Sequence, residues 1–386
     1  MALFTATRAA NAQTSVDRTF TFNDRGVMSY RLYFPPGYDA PGKTFPIVVW
    51  LHGSGGSGFS LPHGLLDAAT SERFASFVLA PTASRAETWT TCDGAQAGST
   101  TVDCPPGTTR DLQGVLDILD ELETEFSIDA SRRIVTGESA GGVGTFEALV
   151  KHPDVFSTAV SVAGGYDPSL ITEPISARIW ALHGHNDDYL LPSWSSSTVA
   201  AINALGGSAI YQEPSGDHGA PFTDDFFRDL DGDLYPWMFE GVEPSLAKLY
   251  YDPATGDTSI DASTAPGGVI SRFYVGLDPT STPTLTEING DPLTIRGNSL
   301  FYDARSSAGF SGIIDLGPIL PMGMDFVELH RFMRVPFKYD SPFSTTQGRL
   351  FQLVVVPEPS AVGLSLGVMA ILACAAIVRR RPSVAS

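Results

Sequence analysis

Arg132-Arg133-Ile134-Val135-Thr136-Gly137-Glu138-Ser139-Ala140-Gly141-Gly142 is the stretch that decides how this chain folds. Arg133 to Thr136 has the short β-branched pattern of a buried strand, and Gly142 to Lys151 continues as a helix. Between them Gly137-x-Ser139-x-Gly141 has the G-x-S-x-G form, directly after a strand and directly before a helix. Glycines at these positions permit a strained turn that pushes Ser139 Oγ into the open. They also let backbone N–H groups and a helix N-terminus face developing negative charge. Ser139 is therefore the candidate nucleophile.

A serine hydroxyl attacks poorly until a base takes its proton, and the base needs an orienting acid. On a nucleophile elbow the chain order is Ser, then Asp or Glu, then His. Past Ser139 the histidines are His152, His183, His185, His218 and His330. Of these, His218 follows a plausible acid and sits in the polar loop Ser215-Gly216-Asp217-His218-Gly219. His152 reads as the polar end of the helix after the turn, and His330 belongs to the later β-rich region. The acid should leave the strand Arg178 to Leu182, where His183-Gly184-His185-Asn186-Asp187-Asp188 offers Asp187 or Asp188. Pattern alone does not separate those neighbours, and Asp217 is the poorer choice because it abuts His218. The oxyanion donors should be the N–H of Ala140 and a second from His52-Gly53-Ser54-Gly55-Gly56-Ser57-Gly58, with Ser54 ahead of Gly55. His52, Trp89 and Glu138 are expected to touch the substrate.

Working outward, strands and helices alternate from residue 15 to 240. Arg18 to Phe22 and Met28 to Phe34 read as a hairpin; Phe45 to Leu51, Phe77 to Ala80, Phe156 to Val162, Arg178 to Leu182 and Ala209 to Gln212 read as further strands. Asp111 to Phe126 places Leu112, Val115, Leu116, Leu119 and Leu122 at helical spacing. Such alternation implies an α/β fold, a mostly parallel sheet with helices on both faces. Residues 246–356 change character, with short β-branched and aromatic runs such as Ser271 to Gly276, Ser299 to Asp303 and Leu350 to Val356 between turn dipeptides. That spacing predicts a β-sandwich-like accessory domain.

The chain of 386 residues carries 24 Lys+Arg against 43 Asp+Glu, a net charge of −19. A phosphate backbone would be repelled, so nucleic acid is excluded as a partner. With 43% hydrophobic and 17% charged residues the chain is too apolar for disorder. Cys374 lies in the apolar tail, leaving Cys92 and Cys104 in one loop; a disulfide there would contribute about 3 kcal/mol in an oxidising compartment.

The run from Tyr30 to Trp237 resembles the serine carboxylesterases of the α/β-hydrolase superfamily, near the polyhydroxybutyrate-depolymerase, feruloyl-esterase and prolyl-oligopeptidase-like branches. The carrying motifs are Leu51-His52-Gly53, Arg132 through Gly142, Leu182-His183-Gly184-x-x-Asp187 and the late Gly216-Asp217-His218. The resemblance implies an α/β-hydrolase fold and places the acid at Asp187. It implies acyl transfer through a Ser139-Asp187-His218 triad without a cofactor, on a small-molecule or polysaccharide-linked ester. Asp217 stands where the final motif usually reads Gly-His, and the loop Ala83 to Pro106 is long and holds Trp89 and both Cys, so the resemblance does not extend to the shape of the pocket. A prolyl-oligopeptidase-like peptidase and a non-catalytic surface protein on the same scaffold are the alternatives.

The two ends speak of export. Ala361 to Val378 holds no charge, and Arg379, Arg380 and Arg381 follow. As a helix it would reach roughly 27 Å, enough for a transmembrane span with the arginines inside. Pro357-Glu358-Pro359, that helix and the arginines together resemble bacterial PEP-type C-terminal sorting signals, which implies an exosortase-type processing partner and a transient membrane anchor. Residues 1–14, with Ala10-Asn11-Ala12, read as the remnant of an export signal, residues 15–240 as the catalytic domain and 357–386 as the sorting signal. Two metal readings compete: His183-x-His185-x-Asp187-Asp188 is zinc-like, and Asp229-Leu230-Asp231-Gly232-Asp233 hints at calcium. Both are weaker than the serine reading, because the first lacks its final His and the second has its Gly out of place.

Overall fold

The computed structural model describes residues 14–23, 26–83, 89–92, 104–218, 226–228, 232–278, 280–281, 283–296, 298–304, 308–332, 338–340 and 349–356. Residues 1–13, where the remnant of an export signal is expected, residues 357–386, where the sorting signal is expected, most of the Ala83 to Pro106 loop and the start of the Asp229 to Asp233 stretch lie outside them. Among the described residues no helix is long and apolar enough to cross a membrane. The chain divides into two compact units, with the boundary between Pro244 and Ser245.

The first unit is built on an eight-stranded sheet. Its strands are β1 (Ser15–Thr21), β2 (Val27–Tyr33), β3 (Phe45–Leu51), β4 (Phe77–Pro81), β5 (Ile128–Glu138), β6 (Thr158–Val162), β7 (Arg178–Leu182) and β8 (Ser208–Gln212). They lie in the order β1-β2-β4-β3-β5-β6-β7-β8. The β1–β2 hairpin and the β2–β4 pair are antiparallel, and every pair from β4 to β8 is parallel. All residues of β3, β4 and β6 are buried, as strands covered on both faces must be. The helices are α1 (His63–Ala69), α2 (Arg110–Glu125), α3 (Ala140–Lys151) and α4 (Pro192–Ala204).

Local chemistry accounts for these elements. Thr109 caps α2, its Oγ1 accepting from Leu112 N at 3.1 Å, and Leu112, Val115, Ile118, Leu119 and Leu122 are buried. Each such side chain contributes roughly 1.5–3 kcal/mol when removed from water. Strand β5 is longer than the Arg133–Thr136 core that its β-branched run suggests, and α3 begins at Ala140 instead of Gly142. The short α1 and the Ser/Ala-rich α4 have no clear apolar stripe, so the sequence pattern predicts neither.

The second unit holds a four-stranded sheet, a five-stranded sheet and a two-stranded ribbon. The first is built from Lys248–Tyr251, Asp257–Asp261, Ile313–Pro318 and Gln352–Val355; the second includes Arg272–Gly276 and Ser299–Asp303. Leu249, Tyr251 and Ile260 from one sheet share a single core with Phe273, Val275, Leu300 and Tyr302 from the other. A helix, Phe326–Phe332, interrupts the strands and carries His330, whose Nδ1 donates to Phe326 O at 2.8 Å. Tyr251 and Phe273 are fully buried in that core.

Gly137 lies opposite Leu51 across the β3–β5 pair, and a Cβ added at Gly141 would stand 1.8 Å from Leu51 O. Backbone cannot yield as a flexible side chain does. Gly141→Ala should therefore lower stability by roughly 1–3 kcal/mol or more, read as a shift in denaturation midpoint. Gly206, whose φ of +85° meets nothing within 4 Å, supplies the contrast: Ala there should cost only about 1 kcal/mol. Equal midpoints for the two variants would contradict the close approach at the turn.

Candidate active site

The turn between β5 and α3 holds Ser139 at φ 53° and ψ −121°, a conformation that non-glycine residues rarely adopt. Such strain costs about 1–3 kcal/mol and persists only where neighbours over-determine it. Here they do: Ser139 N donates to Val162 O at 2.9 Å, and Val143 N returns to Ser139 O at 2.9 Å. Glycines keep the surrounding backbone close, for a Cβ at Gly142 would meet Val162 O at 2.4 Å. Ala140 opens α3, so its N–H is one of the amides that a helix start leaves without an intrahelical acceptor.

His218 Nε2 accepts from Ser139 Oγ at 2.8 Å, and His218 Nδ1 donates to Asp187 Oδ2 at 2.6 Å. Ser139, Asp187 and His218 therefore form one hydrogen-bonded chain across 79 and 31 residues of sequence. Asp188 is exposed and stands outside it, whereas Asp187 is 3% exposed.

Asp187 is held from every side. Its Oδ1 accepts from Tyr189 N and Leu190 N, each at 2.9 Å, and its Oδ2 also receives His183 Nε2 at 3.0 Å. Burial alone would raise this carboxyl, but the hydrogen bonds and electrostatic attraction of His183 and His218 outweigh it and hold Asp187 far below the usual carboxylate range. His183 is fully buried; its Nε2 also reaches Leu190 O at 2.6 Å, and its Nδ1 meets Ser195 Oγ of α4 at 2.7 Å. His185 turns to a different partner, Glu213 Oε1 at 2.6 Å, so the two imidazoles do not converge as a ligand pair. Among the described residues no cluster of three or more His, Cys, Asp or Glu side chains is arranged to hold a metal ion.

The loops bearing Asp187 and His218 are zipped together by backbone. His183 N donates to Gln212 O at 3.1 Å, His185 N to Pro214 O at 2.8 Å and Asn186 N to Gly216 O at 2.8 Å. Gly184 is required by this contact, since a Cβ there would lie 2.6 Å from Asp217 O. Asp217 stands between Gly216 and His218, and His218 still reaches both Ser139 and Asp187.

On the β3 side, Gly53 approaches Ser139 so closely that a Cβ on it would sit 3.4 Å from Ser139 Cβ. The Gly53 carbonyl turns back, accepting from His52 Nδ1 at 2.7 Å and from Gly56 N at 3.0 Å. Because a trans peptide points its N–H opposite its C=O, the Ser54 amide faces away from the His52 ring. Gly55 takes φ +74° with open space around its α-carbon.

His52 and Trp89, expected against substrate, are 5% and 1% exposed and are committed within the protein. His52 Nε2 accepts from Ala83 N at 3.0 Å, and Trp89 Nε1 donates to His52 O at 2.8 Å. Burial lowers the His52 pKa, favouring the neutral ring that this bonding needs. Both therefore brace the loop from behind. Of the three, only Glu138 is partly open. Behind Trp89, buried Glu147 of α3 accepts from Thr90 Oγ1 at 2.5 Å and Thr91 N at 2.8 Å, while Lys151 reaches Glu147 Oε1 at 3.0 Å. Cys92 and Cys104 are joined as a disulfide. His152 caps α3 and meets Thr108 Oγ1 at 3.0 Å, remote from this chemistry.

Residues 25–214 match the family model named Esterase. A protein named "Putative esterase NocK" from Nocardia uniformis subsp. tsuyamanensis is 31% identical over 137 residues, which span 35% of this chain and 38% of that protein. Among solved structures, a thermostable esterase is 26% identical, covering 59% of this chain and 63% of its own at a TM-score of 0.47. A feruloyl esterase module of Clostridium thermocellum, complexed with sinapinate, is 17% identical, covering 59% of this chain and 89% of its own at a TM-score of 0.44. The Esterase match takes in Ser139 and Asp187 and ends just short of His218.

Proposed function

We propose that this chain is a serine hydrolase that cleaves carboxylic esters through an acyl-enzyme. The observation that carries the reading is the continuous bond path from Ser139 Oγ through His218 to Asp187, 2.8 Å and 2.6 Å long. A carboxylate can only accept, so the imidazole carries its proton on Nδ1 and leaves Nε2 free to take the serine proton.

Ser139 Oγ attacks the ester carbonyl carbon, and its proton passes to His218 Nε2. Asp187 holds the imidazole and stabilises the charge that develops on it. The N–H groups of Ala140 and Ser54 receive the carbonyl oxygen as it becomes an oxyanion. The C–O bond to the alcohol then breaks, and the alcohol leaves with the proton from His218. Water, deprotonated by the same imidazole, hydrolyses the acyl-enzyme and restores Ser139. Residues of this chain supply every proton step, and no cofactor is called for.

We also propose that the chain is exported. The Pro357-Glu358-Pro359 motif, the apolar run Ala361 to Val378 and the terminal arginines support this, as does a disulfide that an oxidising compartment would preserve. The natural substrate is then an ester of the envelope or its surroundings.

Ser139→Ala should cut turnover of p-nitrophenyl acetate by at least about 10³-fold while leaving the folded protein intact, because removing the nucleophile disables the triad as a unit. Activity within tenfold of the parent would refute the assignment. For export, fractionation of cells producing the full chain should recover it outside the cytoplasm, and deletion of residues 357–386 should change where it is retained. Full-length protein confined to the cytoplasm would contradict that reading.

A further inference from the structure

Tyr189 is 45% exposed, one of the few large aromatic side chains in the described residues left so open. An exposed aromatic by itself means little. Its surroundings make it informative. Its backbone N donates to Asp187 Oδ1 at 2.9 Å, and the next residue, Leu190, is buried and bonded through both its N–H and its carbonyl. The segment is therefore fixed to the same carboxylate that orients the base. Its ring lies against the His218 imidazole, centroids 5.0 Å apart and planes tilted by 44°. Part of one aromatic surface covers the base and the remainder faces solvent.

Resting on the esterase reading above, we propose that Tyr189 determines specificity on the alcohol half of the ester, favouring leaving groups that carry a flat ring. The side of the site follows from proton economy. His218 Nε2 must first meet Ser139 Oγ and then hand its proton to the departing oxygen, so the alcohol leaves beside the imidazole. The acyl half stays on Ser139, under the Ala140 amide. A side chain packed on the His218 ring thus borders the path of the alcohol. A phenol ring offers a π face and edge for stacking on a flat ring, gaining contact area at small entropic cost. Nothing covalent involves Tyr189: the ester C–O bond breaks as before, with Tyr189 only retaining the alcohol while it does so.

Two pairs of substrates separate the halves of the ester. The alcohol pair is 2-phenylethyl acetate against ethyl acetate, whose alcohols leave with nearly equal intrinsic ease. The acyl pair is ethyl phenylacetate against ethyl acetate. In the parent protein kcat/KM should favour the phenylethyl ester, and Tyr189→Ala should shrink that preference roughly tenfold while the acyl-pair ratio stays within about twofold. Tyr189→Phe, which keeps the ring, should retain most of the preference. An alcohol-pair ratio that stays within twofold, a loss that appears in the acyl pair, or an equal fall across all three esters would overturn the proposal. The last result marks Tyr189 as a support for His218 only. Should Tyr189→Ala fail to fold, the Phe variant together with Tyr189→Leu reads the same ratio, and a preference kept by Leu overturns the stacking role. Parent protein inert toward every ester overturns the esterase reading, and this inference with it.

Discussion

Asp187 cannot hold its place without the backbone around it, and the rest of the site depends on that constraint. A carboxylate buried to this degree would favour its neutral form unless paired. Two imidazoles and two amides meet it instead. Each bond also fixes a piece of geometry. The amides curl the chain after β7, His183 ties that curl to α4 through Ser195, and His218 is drawn toward Ser139. The carboxylate is at once the hydrogen-bond partner of His218 and the knot that joins three segments.

The elbow answers the same problem from the opposite side. Ser139 is forced into a left-handed conformation, and the strain is sustained because glycines at 137, 141 and 142 let β3, β6 and α3 come within contact of it. Behind it, the neutral His52 ring and the Trp89 indole set the direction of the Gly53–Ser54 peptide. These are small local costs spread over a rigid sheet, the usual arrangement where a site must be organised before its ligand arrives.

How much was legible in the sequence follows from how local each signal is. The elbow was legible because strand, Gly-x-Ser-x-Gly and helix are contiguous. Strands β3 and β7 were placed to the residue because runs such as Phe45 to Leu51 are apolar throughout. His218 could be chosen by order along the chain, whereas Asp187 and Asp188 differ only in which one the fold buries. The part played by His183 was not legible: beside His185 it looked like half of a metal motif, and its partners Ser195 and Leu190 lie on elements with no matching pattern. His52 and Trp89 were placed on the wrong face of their loop for a related reason. Residue type announces an aromatic or an imidazole near the site, but only tertiary contacts tell whether it faces ligand or framework. Glu147 and Lys151, which tether Thr90 and Thr91 beneath the disulfide, are likewise defined by long-range bonds.

The central claim is that position 139 is a hydroxyl made nucleophilic by its neighbours, and a covalent probe asks this without any assumption about substrate. Treating the protein with a fluorophosphonate and mapping the adduct by mass spectrometry should find one modification, on Ser139, whose rate of formation falls at least about a hundredfold in His218→Ala. A protein that stays unmodified, or is labelled at another serine with equal ease in both forms, would contradict the account.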